Sequence, residues 1–199
     1  LGGWSMGGVI AFEMAQQLRA AGEEAAIVVL LDTPYPANPV LSAQDRLMMK
    51  MQDVEKEGLS FFSNWVRRRI EWEQRKAQAR AGVQPKSAEQ FHNEEIEAAF
   101  RRALSRYQGA AYDGSVLLMR PKLQVAYRVT GGRELNHERS LLRADNGWSP
   151  FVADLAIHEV PGDHDSMVLE PNVRVLASHL RQELMRADRS RTVQQIAAE

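Results

Sequence analysis

The chain has 199 residues, 44% of them hydrophobic, which is enough for one sizeable core. Its 25 Lys and Arg nearly balance its 26 Asp and Glu, so it lacks the strongly basic footprint of a nucleic-acid-binding protein. The absence of cysteine excludes disulfides and cysteine-based metal sites. The N-terminus shows no secretory signal, and the apolar run at 25–31 is too short to cross a bilayer, which predicts a cytoplasmic protein.

The first forty residues predict a helix followed by a buried strand. Apolar residues recur at helical spacing between Met6 and Ala21, on a broad face made of Ile10, Met14 and Leu18 with Val9, Phe12 and Ala15 beside them. The run AAIVVLLD that follows is typical of a parallel strand covered on both faces. A helix followed closely by such a strand is half of a βαβ unit, so the residues before Ser5 should end the preceding strand.

Residues from about 40 to 108 are charged and helical in pattern, which predicts a helical insertion between strands of the core. It contains two apolar stripes, one made of Phe62, Trp65, Val66 and Ile70 and the other of Ile96, Phe100, Ala103, Leu104 and Tyr107.

The core is expected to resume after this insertion. Strands are predicted at 115–120 and 154–160, the second with Leu155, Ile157 and Val160 facing the core, and a helix at 173–186. Residues 187–199 have the composition of a tail. This order of elements predicts a single layered α/β domain over residues 1–186, with a mostly parallel sheet flanked by helices.

One motif in the N-terminal segment suggests chemistry. Residues 3–7 match the pattern G-x-S-x-G, between the end of a predicted strand and an amphipathic helix. This is the context of a nucleophile elbow, in which a serine, here Ser5, projects from a sharp turn. Gly3 and Gly7 are expected because a Cβ on either side would clash with the neighbouring strand or helix. The helix N-terminus favours developing negative charge. The alternative is a structural serine that caps the helix.

A catalytic serine needs a base, and the chain offers five histidines. His92 and His137 lie in polar connecting segments, His158 in the middle of a predicted strand and His179 in the last helix. The fifth, His164, lies in the loop PGDHDS between the last strand and the last helix. Because hydrolases with a nucleophile elbow place serine, acid and histidine in that chain order, His164 is the predicted base.

The acid of such a site must hold the imidazole in the right tautomer. Asp32 ends the strand that follows the nucleophile helix and is the predicted acid; the alternative is a turn residue before Pro34. The later strand SVLLMR is followed by no carboxylate. Asp163 and Asp165 flank His164 too closely to bond its ring easily, so we expect them to shape the loop.

Three stretches resemble the thioesterase domains that end polyketide and nonribosomal peptide synthetases: GGWSMGGVIAFEMAQQL, VVLLDTPYP and VPGDHDSMVLEPNVRVLASHL. The segment DNGW is similar to a tryptophan-containing segment of that family. The resemblance implies an α/β-hydrolase fold, with the insertion at about 40–108 in the place of the family's substrate lid.

The resemblance also implies roles for particular residues. Ser5 would be the nucleophile, His164 the general base and acid, Asp32 its partner, and the backbone N–H of Met6 one oxyanion donor. The family takes an acyl chain from the phosphopantetheine thiol of a carrier protein onto the serine, then releases it to water or to an internal hydroxyl or amine. The implied partners are therefore a carrier protein and upstream synthase modules, without a cofactor or metal.

The family's domain begins with several strands before the elbow, one of them followed by a loop that gives a second oxyanion donor. We expect these N-terminal strands to be missing here, and residues 1–199 alone to be poorly active or poorly soluble. Two alternatives remain open. One is a free-standing editing thioesterase or small-ester serine hydrolase. The other is a non-catalytic binding module of the same fold, which the complete set of Ser, Asp and His disfavours.

Overall fold

The computed structural model describes residues 1–36, 41–58, 69–70, 73, 94–137 and 139–198. They divide into two compact units. The first, the core unit, is drawn from Leu1–Asn38, Tyr107–Gln124 and Leu142–Glu199; the second, the insertion unit, from Pro39–Arg106 and Val125–Leu141.

The core unit contains four strands and two helices. In chain order they are β1 (Gly2–Trp4), α1 (Met6–Ala20), β2 (Val28–Leu31), β3 (Tyr112–Pro121), then a last strand at Val152–Val160 and a last helix at Val173–Ala198. The insertion unit contains α2 (Ala43–Glu57), α3 (Glu94–Leu104), β4 (Tyr127–Arg128) and β5 (Glu134–Leu135). The last strand and helix of the core unit are therefore β6 and α4.

The four strands of the core unit form one parallel sheet in the order β1-β2-β3-β6. In its register, Trp4 pairs with Leu31, Leu31 with Met119, and Met119 with His158. The predicted parallel sheet flanked by helices is thus confirmed in the described residues. Because all four strands run the same way, the residues that follow them meet at one edge, where ligands bind in open α/β sheets.

Side chains of β2 and β3 alternate between the two covered faces of this sheet. Val29, Leu117 and Met119 pack in one cluster with side chains from β6 and α4, while Val28 and Leu30 point to the other face and are fully buried. On β6, Val160 is buried as expected, but Ile157 is 39% exposed. Its predicted core position is wrong because β6 is the last strand of this sheet, which leaves part of one face open.

Helix α1 packs on the sheet by only part of the predicted apolar face, because Val9, Phe12 and Ala15 are buried as predicted. Ile10 and Met14 are 46% and 47% exposed, whereas the buried side of the helix is made of Gly8, Val9, Ala11, Phe12 and Ala15. The buried side is richer in small residues, which let the helix backbone approach the sheet closely. Apolar residues occupy both sides of α1, so periodicity alone does not fix its rotation.

The insertion unit is organised around Asp45, which is fully buried. Ser42 and Asp45 form a capping box at the start of α2. The Asp45 carboxylate also accepts hydrogen bonds from the backbone N–H and hydroxyl of Thr130 and from the Arg133 guanidinium at 2.7 Å. The segment 125–141, expected from the sequence to be an irregular connection, thus joins this unit through the β4–β5 pair and these bonds.

The predicted apolar stripes of the insertion are only partly described. Phe62, Trp65 and Val66 lie outside the described residues, and Ile70 is 53% exposed. On α3, Ile96 is 55% exposed and Phe100 and Leu104 are half-buried.

Helix α4 runs from Val173 to Ala198. The prediction that the helix ends at Arg186 is therefore wrong, because the backbone stays helical through most of the expected tail. Among the described helices, none has both the length and the apolar content needed to span a membrane.

Candidate active site

Ser5 lies in a sharp turn between β1 and α1, with φ 55° and ψ −126°. This left-handed conformation is one that a non-glycine residue rarely adopts, at a cost of about 1–3 kcal/mol. The Ser5 N–H donates to the carbonyl of Leu31 at 2.8 Å, which holds the turn against β2. The Ser5 side chain makes no capping hydrogen bond to α1, contrary to what a structural cap would do. The turn therefore has the geometry of a nucleophile elbow.

Two glycines make this turn possible, and only one of them is the expected one. A Cβ on Gly3 would collide with the backbone carbonyl of Gly7, and a Cβ on Gly8 would collide with the side chain of Thr33. A Cβ on Gly7 would meet nothing within 4 Å. The predicted steric requirement is thus correct at Gly3 and wrong at Gly7; Gly8 meets it instead, where α1 crosses close to the loop after β2.

Met6 is the first residue of α1. Its backbone N–H lies in the first turn of the helix, where N–H groups have no carbonyl partner within the helix. It stands at the positive end of the helix dipole, directly after Ser5, as the predicted oxyanion donor must.

Asp32 and His164 are bonded to each other across the sheet edge. Asp32 follows β2 with φ 42°, and its N–H continues the ladder to the carbonyl of Met119 at 2.7 Å. Its Oδ2 lies 2.8 Å from Nδ1 of His164. A carboxylate only accepts hydrogen bonds, so Nδ1 carries the proton and Nε2 is the basic nitrogen of the neutral ring. The side chains of Asp32 and His164 are 21% and 43% exposed, so the pair is open to solvent on one side.

The loop that carries His164 is shaped by its own hydrogen bonds. The Asp163 carboxylate accepts from the N–H of Ser166 at 2.8 Å and from its hydroxyl at 2.6 Å. These bonds lower the pKa of Asp163 below its usual value. Gly162, at φ 96°, lets the chain turn sharply just before them. The expectation that Asp163 shapes the loop is confirmed.

Asn146 holds the other oxygen of Asp32 and was not predicted. Its Nδ2 donates to Asp32 Oδ1 at 3.2 Å, and its carbonyl accepts from the N–H of Tyr35 at 2.8 Å. Asn146 has φ 48°, a conformation that asparagine tolerates well. Two residues on, the fully buried Trp148 donates from its indole to the carbonyl of Thr33 at 2.7 Å. The segment DNGW therefore fixes the loop after β2; its Asn-Gly pair signals a turn in the sequence but not the contact with Asp32.

Trp4 is a second residue of this site that was not predicted. It ends β1 immediately before Ser5, and its indole N–H donates to the backbone carbonyl of His164 at 3.1 Å. The indole also stacks on the imidazole, with ring centroids 5.1 Å apart. Ser5, Trp4, Asp32 and His164 thus all belong to the same edge of the sheet.

The other described histidines take no part in the contact with Asp32. His92 lies outside the described residues, and His137 is exposed. His158 lies on β6, where its Nε2 is 3.1 Å from Glu183 and its ring is 5.0 Å from that of His179. These two histidines belong to the contact of β6 with α4, on a face of the sheet.

The end of β3, the other position considered for the acid, carries a buried arginine. The guanidinium of Arg120 donates to the carbonyl of Ala144 at 2.7 Å and to Glu159 at 3.0 Å. It thereby ties β3 to β6 and to the segment just before Asn146.

The core unit also contains a cavity of about 610 Å³, but it lies at the opposite edge, where β2, β3 and β6 begin. In the part of the chain that the structure describes, no group of three or more His, Asp or Glu side chains is placed to hold a metal ion.

Comparison with known sequences points to one family. Residues 1–184 match the family model of the thioesterase domain. Chondramide synthase of Chondromyces crocatus is 27% identical over 204 residues, which cover 92% of this chain and 5% of that protein. A non-reducing polyketide synthase of Cercospora nicotianae is 45% identical over 53 residues, 27% of this chain and 2% of that protein. The chain thus spans a small fraction of the curated relatives that it matches.

Solved structures agree with these sequence matches. The NocB thioesterase domain, in covalent complex with a fluorophosphonate nocardicin G analog, has a TM-score of 0.56 and 25% identity, over 92% of this chain and 65% of that one. A four-domain nonribosomal peptide synthetase shares the fold, with a TM-score of 0.52 and 23% identity over 92% of this chain and 14% of that one. The expected α/β-hydrolase fold is confirmed. With 184 of its residues matched by the family model, the chain belongs to the thioesterase domain family of hydrolases.

Proposed function

We propose that this domain releases an acyl chain from a carrier-bound thioester through an acyl-enzyme on Ser5. The observation that carries the proposal is the hydrogen bond between Asp32 and Nδ1 of His164, at the sheet edge where the Ser5 elbow also lies. That bond gives His164 the tautomer in which Nε2 accepts a proton, which is the role of a base beside a serine.

In the first half-reaction, the Ser5 hydroxyl attacks the thioester carbonyl while Nε2 of His164 takes its proton. The tetrahedral oxyanion is held by backbone donors, with the N–H of Met6 as one of them. Asp32 stabilises the imidazolium without becoming protonated itself. When the intermediate collapses, the carbon–sulfur bond breaks, His164 returns the proton to the departing thiolate, and the acyl group remains on Ser5 as an ester.

In the second half-reaction, His164 takes a proton from water or from an internal hydroxyl or amine of the acyl chain. That nucleophile attacks the ester carbonyl, and collapse of the second intermediate returns the proton to Ser5. The product is a free acid when water attacks, and a cyclic ester or amide when the internal group attacks. Residues 40–108 would form the substrate lid that selects between these two outcomes.

The substrate class follows from the family and from the relatives that the chain matches. Chondramide synthase and the non-reducing polyketide synthase are synthases by name, and a four-domain nonribosomal peptide synthetase shares the fold. We therefore propose a polyketide or peptidyl chain on the phosphopantetheine arm of an acyl or peptidyl carrier protein as substrate. Upstream synthase modules would be the other partners.

Labelling by a fluorophosphonate tests the acyl-enzyme directly. The probe suits the family, because the NocB domain forms a covalent complex with a fluorophosphonate analog. In the full-length protein we expect one covalent adduct on the peptide containing Ser5, absent from Ser5→Ala. Ser140→Ala is the matched control, because this exposed serine is held through its backbone N–H and keeps that bond. An adduct of equal yield on Ser5→Ala would contradict the proposal.

A second experiment separates this function from that of a small-ester hydrolase. The same acyl group is offered on a holo carrier protein and as a simple ester, and kcat/KM is measured for each. We expect the carrier-bound thioester to be preferred by at least about tenfold, because contacts with the carrier add binding energy in the transition state. Equal values would favour the small-ester hydrolase.

A further inference from the structure

Trp4 makes two separate contacts with His164. Its indole ring stacks on the imidazole at 5.1 Å between centroids and 27° between planes, and its Nε1–H donates to the His164 carbonyl at 3.1 Å. One contact engages the side chain and the other the backbone of the same residue, 160 positions further along the chain. Neither contact is needed to build the Ser5 elbow, whose turn is held by the ladder to Leu31 and by Gly3 and Gly8.

The strand pairing makes Trp4 a rigid support. Trp4 pairs with Leu31 in the parallel ladder of β1 and β2, and the next two residues along these strands are Ser5 and Asp32. The backbone of Trp4 is therefore fixed relative to both. His164, in contrast, lies in a loop after β6, two strands away from β2 in the sheet. Trp4 connects this loop to the strand pair that carries the other two residues of the site.

The Asp32 hydrogen bond by itself does not fix the plane of the His164 ring. A single bond through Nδ1 holds one edge of the imidazole, but coupled changes of χ1 and χ2 still let the ring tilt by a small rotation about that bond. Such a rotation would move Nε2 relative to Ser5. An aromatic ring against the imidazole face opposes that rotation, and centroids about 4.5–7 Å apart are the favourable range for such pairs.

We propose that Trp4 is a positioning residue that fixes the plane of the His164 imidazole for proton transfer with Ser5. The inference rests on the proposed role of His164 as the base. The same ring face also meets the imidazolium that forms during each half-reaction, and a cation over an indole face is stabilised electrostatically. Trp4 would thus act through His164 in both half-reactions, without touching the reacting atoms.

A competing role for Trp4 is contact with the substrate, because its side chain is 41% exposed beside the elbow. The two roles differ in their kinetic consequence. A substrate contact made equally in ground and transition states changes KM, whereas a misplaced base changes kcat. They also differ in their dependence on His164. If Trp4 only positions the imidazole, replacing Trp4 should no longer lower kcat once His164 has been replaced.

Two variants of the full-length protein test the proposal. Trp4→Leu removes both the aromatic face and the indole N–H, and we expect kcat to fall about 100-fold, the typical cost of a small misplacement of a catalytic group. Trp4→Phe keeps an aromatic face and loses only the N–H bond, so we expect a smaller loss of about tenfold. KM should stay within about twofold in both. A loss seen only in KM, or equal losses in the two variants, would assign Trp4 to another role.

A double-mutant cycle with His164→Gln gives the deciding measurement. If Trp4 acts through His164, adding Trp4→Leu to His164→Gln should cost less than about twofold in kcat. A further loss of the full single-mutant size would overturn the proposal. Failure of the proposed function would look different, because His164→Gln alone would then leave kcat unchanged.

Fluorescence supplies a readout that is independent of turnover. A protonated imidazole quenches a stacked indole more strongly than a neutral one does, so the emission of Trp4 should fall as His164 gains a proton. We expect the emission of the wild type minus that of Trp4→Phe to change with pH, and this change to vanish in the His164→Gln background. A pH-independent difference would mean that the rings are not stacked in solution.

Discussion

The Asp32 carboxylate is held from two sides, with Asn146 Nδ2 donating to Oδ1 at 3.2 Å and His164 Nδ1 donating to Oδ2 at 2.8 Å. The two donors are separated in the chain from Asp32 by 114 and 132 residues. Asn146 thus leaves the carboxylate one oxygen for the imidazole and fixes the direction in which that oxygen points.

Replacing Asn146 should weaken turnover without abolishing it. Asn146→Gly keeps a residue that accepts φ 48° and removes only the amide. A hydrogen bond to a charged group contributes about 1.5–3 kcal/mol, so the expected loss in kcat is about 10- to 150-fold. Asn146→Asp should cost more, because a second carboxylate would repel Asp32. Steady-state kinetics check both, and a loss under twofold in Asn146→Gly would show that the amide does not orient Asp32.

Asp32→Asn should reduce kcat by about 10⁴-fold, because an amide no longer enforces the tautomer of His164. The matched control is Asp165→Asn. It changes the carboxylate next to His164 in the sequence, whereas the partner of His164 Nδ1 in the structure is Asp32. We expect the control to stay within about fivefold of wild type, since Asp165 is exposed and exposed charge pairs contribute little energy. Comparable losses in the two variants would remove Asp32 from the proposed mechanism.

Gly7 and Gly8 are adjacent residues of α1 that should respond oppositely to alanine. At Gly8 the new Cβ would overlap the side chain of Thr33, so Gly8→Ala should lower the free energy of unfolding by about 1–3 kcal/mol. At Gly7 the Cβ meets nothing within 4 Å, and alanine is the better helix former, so stability should stay equal or rise by up to about 1 kcal/mol. Denaturant unfolding of the two variants checks the pair, and equal destabilisation would mean that α1 does not cross Thr33 closely.

The sequence predicted the parallel sheet and placed Ser5, Asp32 and His164 at its carboxyl edge, because each follows a strand in a recognisable local pattern. It missed Trp4 and Asn146 for a physical reason: their partners are 160 and 114 residues away, and no local pattern reports such a contact. The prediction for α1 was only partly right, with Ile10 and Met14 exposed, because apolar residues lie on both sides of this helix. The pairing of β4 with β5 was missed because two-residue strands are too short to show a period of two.

Asp45 shows why the insertion unit should be sensitive to acid. Hydrogen bonds from the hydroxyl of Thr130, from Ser42 and from Arg133 lower its pKa far below the usual value, although burial opposes them. A carboxyl group whose pKa is lower in the folded state contributes stability that is fully present above its unfolded pKa. The contribution is lost as the pH falls toward the folded value. The affected window therefore begins at about pH 4, near the ordinary pKa of aspartate, and extends downward.

Asp45→Asn should accordingly destabilise the protein at neutral pH and reduce the steepness of its acid unfolding. The amide cannot bear the charge that Thr130 and Arg133 stabilise, so the difference from wild type is largest above about pH 5 and narrows below about pH 4. Urea unfolding followed by circular dichroism at pH 7, 5 and 3.5 measures this difference. Asp53→Asn removes a carboxylate from the same helix and is the matched control. A difference for Asp45→Asn that stays constant from pH 7 to 3.5 would show that the charge of Asp45 does not hold α2 to the segment 125–141.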